Sequence, residues 1–127
     1  MKKMNRVSEK YVIAKDMKWE ELGGGVSRKF LGYDNQIMMV SVKFEEGALG
    51  APHQHFHTQA TYCVSGKFEF EIDGVKQIVE AGDGVYIEPN LLHSAVCLEE
   101  GQLIDTFSPV REDFLTGNGP SYFGDKK

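Results

Sequence analysis

The chain has little of what would mark a secreted miniprotein, a membrane protein or a nucleic-acid binder. It has two cysteines, Cys63 and Cys97. They cannot make a disulfide framework, and they lack the close pairing of a zinc-binding thiol motif. Each lies between apolar residues, as buried reduced thiols do. Long hydrophobic runs are missing, so no transmembrane helix is expected. Lys2, Lys3 and Arg6 open the chain, but Ser8, Glu9 and Lys10 follow where a signal peptide needs apolar residues; a cytoplasmic location is expected. Basic clusters are confined to the ends, and 14 Lys and Arg are outweighed by 19 Asp and Glu, giving a net charge of −5. That surface offers a polyanion no basic face, which argues against nucleic acid as a partner.

What is present is the alternation of strands. The 127 residues suit one domain with its own core. Met38, Val40, Val42 and Phe44 alternate with Met39, Ser41 and Lys43; Phe68, Phe70 and Ile72 alternate with Lys67, Glu69 and Glu71. Asp73-Gly74 then separates the second run from Val75 to Val79, a strong hairpin signal. Further strands are expected at Ala60 to Val64, Gly84 to Ile87, Ser94 to Leu98 and Leu103 to Phe107, with turns at Glu45-Glu46-Gly47, Ser65-Gly66, Ala81-Gly82-Asp83 and Glu99-Glu100-Gly101. Short, evenly spaced strands without a helical period imply an all-β antiparallel sandwich or barrel. Before Val26 the chain reads as an arm, with a possible strand at Tyr11 to Ala14 and an apolar turn from Met17 to Leu22 around Trp19. The polar, Gly-rich end from residue 116 reads as a tail.

Three of the four histidines crowd into His53-Gln54-His55-Phe56-His57, closely followed by Gln59, while His93 lies far along the chain after Pro89-Asn90. Residues two apart on an extended segment point to one side, so His53 and His55 can present two imidazoles to one point. A local bend can add Gln59, and a neighbouring strand can add His93. Imidazole nitrogens with one amide oxygen suit a divalent transition ion such as Zn, Ni, Fe or Mn. Neutral ligands would leave the ion's full charge as a Lewis acid. His57 reads as a pocket wall or as support behind the ligands.

The spacing Gly47-x5-His53-x-His55-x3-Gln59-x6-Gly66, followed by Gly82-Asp83-Gly84-Val85-Tyr86-Ile87-Glu88-Pro89-Asn90-Leu91-Leu92-His93, resembles the two motifs of the cupin superfamily. Gln59 stands in the usual Glu place; Glu88, Asn90 and Cys97 also depart from the pattern. The resemblance implies a double-stranded β-helix, a jelly-roll barrel, with a metal inside held by His53, His55, Gln59 and His93. It implies domain bounds of 1–25 for an arm exchanging a strand in a homodimer, 26–115 for a cupin barrel and 116–127 for the tail.

Trp19-Glu20-Glu21-Leu22-Gly23, Arg28-Lys29, the segment from His53 to Phe70 and the tail from Cys97 to Leu115 further resemble the KdgF-type pectin-degradation cupins. This resemblance implies ring opening of 4,5-unsaturated uronates, with Asp105, Phe107 and Arg111 beside the metal. Alternation independently puts Leu103, Asp105 and Phe107 on one face, and an acid aimed into a core is costly unless paired or functional. Arg111, past Pro109, can return to fork onto a carboxylate. A surface acid or a partner for Arg111 remains an alternative for Asp105, core packing for Phe107, and a solvated charge near Glu112 and Asp113 for Arg111. Two other functional classes stay open: an iron-dependent oxygenase, and a non-catalytic binder of acid sugars.

Overall fold

The computed structural model describes residues 7–116. Its strands are β1 (Glu20–Gly23), β2 (Val26–Tyr33), β3 (Met38–Phe44), β4 (Leu49–His53), β5 (Thr58–Ile72), β6 (Val75–Glu80), β7 (Gly84–Ile87) and β8 (His93–Ser108), followed by a short helix α1 (Glu112–Thr116). No helix among the described residues is long and apolar enough to cross a membrane.

All neighbouring strands pair antiparallel, as expected, but the sheet does not close into a barrel. Its hydrogen-bonded order is β1-β2-β3-β8-β5-β6, with β4 attached to β8 and β7 to β5 off this path. Among the described residues β1 and β6 are therefore open ends, and the expected jelly-roll barrel is corrected to an open eight-stranded sheet. Closure would need matching ladders at both ends. β1 has only four residues and a register break between Glu21 and Gly23, so it offers β6 too little backbone.

β5 and β8 organise the sheet. Sequence alternation splits each into two strands at Ser65-Gly66 and at Glu99-Glu100-Gly101, but the chain runs through both places without a break. Register shifts between Cys63 and Phe68 mark bulges, which bend a strand without ending it. Inward residues on β5 accordingly change parity, from Gln59, Thr61 and Cys63 to Phe68 and Phe70. Gly66, at φ +86°, lies against Gly101; a Cβ there would fall 2.5 Å from the Gly101 Cα. No side chain fits at that crossing.

Val26, Met38, Val40, Val42, Cys63 and Phe68 are fully buried in one core, with Phe44 edge-on to Phe68 at 5.3 Å. Both cysteines are free and buried, and burial pushes their thiols up. Asp73 and Gly74 have φ of 51° and 83°, the pair of positive angles that a tight two-residue hairpin requires. The arm departs from expectation. Tyr11 to Ala14 contains no strand; a 3-10 turn covers Ala14–Asp16 and β1 takes up the end of the expected apolar turn. Trp19 packs between the ammonium groups of Lys29 and Lys43 at 4.4 and 4.5 Å, and Arg28 bonds Glu20 at 2.9 Å, which fastens β1 to its neighbours. Of the tail expected at 116–127, Thr116 ends α1 and residues 117–127 lie outside the described residues.

Candidate metal centre and active site

His53 on β4 is the direct cross-strand partner of His93 at the start of β8. Their ring centroids are 4.3 Å apart, and His55, in the turn before β5, stands 5.6 Å from His53 and 5.0 Å from His93. One nitrogen from each ring can be chosen so that all lie within 4.8 Å of one another, a spacing one ion can span.

The other ring nitrogens explain the orientation. Nδ1 of His53 bonds the Ala51 carbonyl at 2.7 Å, Nδ1 of His93 the Leu91 carbonyl at 2.9 Å, and Nδ1 of His55 the His57 carbonyl at 3.2 Å. A carbonyl only accepts, so Nδ1 of His53 and of His93 carries the proton and Nε2 of each keeps a lone pair, while His55 faces an acceptor oxygen on both sides. Burial lowers the His53 imidazole below its usual range and takes His55 and His93 to about 4, with the Arg111 charge acting the same way on all three. All three rings are neutral at neutral pH.

Two contacts then call for a cation. His93 Nε2 is buried and has no hydrogen-bond partner among the described residues. His55 Nε2 lies 3.0 Å from Gln59 Oε1. A neutral His55 has one proton for two oxygens, so one of its nitrogen lone pairs faces an acceptor. A shared cation relieves that contact, and the donor set of imidazoles and an amide oxygen fits a divalent transition ion.

Beside this cluster, Gln59, Thr61, Asp105 and Phe107 are all buried. Gln59 pairs with Phe107 across β5 and β8, and Thr61 with Asp105. Burial raises the Asp105 carboxyl to about 6, against the opposing pull of the Thr61 hydroxyl and the Arg111 charge. Phe107 meets His55 edge-on at 5.7 Å and also packs on Phe114 of α1. It serves as wall and core together.

Arg111 is 2% exposed, not solvated. Its guanidinium lies over the Phe114 and Phe107 rings at 4.1 and 5.1 Å. The expected fork onto a carboxylate exists, but the carboxylate is Asp113, held through Nε at 2.9 Å and Nη2 at 2.7 Å. Burial works against charge on Asp113, yet these bonds and the Arg111 charge keep its carboxyl below the usual range. Sequence reasoning gave Asp113 no role and passed over Thr61; the parity shared by Gln59 and Thr61 was the one available signal for the latter.

His57 stands apart from the metal cluster. It backs the centre through its carbonyl, stacks on Phe56 at 4.0 Å and lines an outer pocket of about 590 Å³. That pocket also takes in Asn35, Gln54, His55, Arg111 and Asp113. On the inner side, His53, Gln59, His93, Asp105 and Phe107 border a cavity of about 40 Å³. Arg111 lines both spaces.

Paired histidines on adjacent strands, with buried polar groups behind them, are the site of a cupin. Residues 40–106 match the cupin domain family, and the chain belongs to it. Within the family it is closely related to KdgF: it is 47% identical over 108 residues to the pectin degradation protein KdgF of Dickeya dadantii, covering 84% of this chain and 98% of that one. Among solved structures, an RmlC-like cupin from Shewanella frigidimarina shares 42% identity at a TM-score of 0.83, covering 85% of this chain and 97% of the other. KdgF from a Halomonas species shares 38% identity at a TM-score of 0.81, covering 84% and 99% respectively.

Proposed function

We propose that this cupin opens 4,5-unsaturated uronate monomers, such as pectin or alginate breakdown yields, to linear 5-keto-4-deoxyuronates, with one divalent transition ion (Zn, Ni, Fe or Mn) held by His53, His55, Gln59 and His93. The observation that carries the reading is the buried acid Asp105 beside three imidazoles that can each offer one nitrogen to a shared ion, in a chain 47% identical to KdgF. The ion, when bound, supplies a Lewis acid that stabilises negative charge on the substrate's carboxylate and on the oxygen released from C1.

The remaining work falls to the protein. In the cyclic substrate, C5 is doubly bonded to C4 and carries the ring oxygen and the carboxylate. Asp105 takes the proton of the C1 hydroxyl, the C1–O5 bond breaks, and C1 becomes an aldehyde. The electron pair of that bond leaves an enolate across O5, C5 and C4. Protonation at C4 completes the ketone, so the net change is one proton moved from O1 to C4. A carboxyl near 6 is suited to accept and return a proton at neutral pH. Thr61 occupies Oδ1 of Asp105, leaving Oδ2 for the transfer. Asp113 uses Nε and Nη2 of Arg111, so Nη1 and the cationic charge remain for the substrate carboxylate. Phe107 offers the sugar a wall.

The test adds purified, metal-loaded protein to freshly generated unsaturated galacturonate and follows loss of the conjugated double-bond absorbance. Opening faster than the spontaneous rate supports the proposal. A wild type that binds the sugar unchanged and never exceeds background with any divalent ion overturns it in favour of a binding module.

A further inference from the structure

Thr61 transfers no proton in the chemistry above, yet it links Gln59 to Asp105. It is 3% exposed and sits on β5 directly opposite Asp105. Gln59 Nε2 donates to its Oγ1 at 2.9 Å, and Oγ1 lies 2.7 Å from Asp105 Oδ1. A hydroxyl has one proton to give. An ionised carboxylate only accepts, so that proton goes to Asp105, and the group on the other side of the hydroxyl must be a donor. The chain of bonds therefore runs one way, from the Gln59 amide through Thr61 to Asp105.

We propose that Thr61 is a positioning residue for the metal centre: by accepting from the amide nitrogen of Gln59 while giving its own proton to Asp105, it fixes the amide oxygen toward the histidines. The proposal rests on reading Gln59 as a ligand. Without this constraint the two ends of the amide are interchangeable in shape, and a flipped amide would aim two N–H donors at His55 Nε2. Branching at Cβ keeps the Thr61 side chain in few rotamers, so the hydroxyl is held ready. The same polarity explains an amide at position 59. A glutamate there has no proton to offer, and it would contest the single hydroxyl proton with Asp105.

The experiment measures zinc affinity of the stripped protein by competition with a chromogenic chelator, in the absence of sugar. Thr61→Val should weaken zinc binding by about 10–100-fold, the usual effect of losing support behind a ligand. Thr61→Ser, which keeps the hydroxyl, should bind zinc more tightly than Thr61→Val and stay within about threefold of wild type. In a Gln59→Ala background, Thr61→Val should cause no further loss, because the group it positions is gone. Wild-type affinity in Thr61→Val overturns the proposal and leaves ring opening standing. An equal loss in both backgrounds overturns it as well, since Thr61 would then act on the fold in general. If Thr61→Val does not fold, Thr61→Ala carries the same comparison. Zinc affinities that follow expectation in a protein without ring-opening activity would support Thr61 and sink the uronate reading alone. A wild type that binds no divalent ion overturns the ligand set beneath both.

Discussion

Asp105→Asn should make the metal-free protein more stable at neutral pH while removing its activity. The magnitude follows from the carboxyl, which stands at about 6 in the fold against 3.8 for an unburdened aspartate. Between those values the folded state holds a proton that the unfolded state has released. Stability therefore falls as pH rises through this interval, and the cost is complete above about pH 6. A difference of about two units corresponds to about 3 kcal/mol at 1.36 kcal/mol per unit. Asparagine has nearly the shape of the neutral acid, and its oxygen still accepts from Thr61. The variant should match wild type near pH 4 and exceed it by about 3 kcal/mol near pH 8. Shifts of the histidines occur in both proteins and cancel. Urea unfolding of the stripped proteins across that range provides the measurement, with slopes compared to exclude a change in the unfolded state. A stability difference independent of pH, or a less stable variant at pH 8, would refute the argument that burial dominates at Asp105.

Other outcomes concern the ligands, the cation and the assembly. His55→Ala or His93→Ala should purify without metal, whereas His57→Ala, which leaves the supporting carbonyl in place, should keep most of it; elemental analysis decides, and the reverse pattern sinks the ligand set. Arg111→Ala should raise KM more than it lowers kcat, and Asp113→Asn, which weakens the existing fork, should change KM in the same assay without removing metal. A homodimer is the expected assembly, with the exposed Tyr11 of the arm at its interface; light scattering at micromolar concentration showing a single-chain mass would exclude it.

The strands were legible where side chains alternate across a half-buried face. Met38–Phe44 and Gly84–Ile87 begin and end where the pattern does. β4 was not legible, because Leu49-Gly50-Ala51-Pro52-His53 lacks alternation and contains a proline. Glycine misled at Ser65-Gly66 and Gly101. It signals a turn in a sequence, but here it lets two long strands pass in contact. The histidine group could be read from spacing because few residue types bind metal and their separation matched a strand. The partners of that group could not. Thr61 resembles any strand threonine, and Asp113 looks solvated until Arg111 is seen folded back over Phe107 and Phe114. Closure of the sheet is still less visible, since it depends on what the two end strands can offer each other.

The centre gathers unfavourable features on the best-supported part of the sheet. A buried acid, neutral imidazoles and a His93 Nε2 without a partner among the described residues each cost free energy in the metal-free fold. Two of the residues that carry them, His93 and Asp105, lie on β8, whose ladder with β5 runs from Thr58 opposite Ser108 to Ile72 opposite His93. Ladder bonds on that scale hold the side chains in place whether or not they are content there, and a site on rigid strands is more exact than one on loops. An ion that binds only the folded chain then stabilises it in proportion to the logarithm of its concentration over its dissociation constant. The same features that weaken the empty fold thus give a metal its affinity and Asp105 a proton affinity suited to neutral pH.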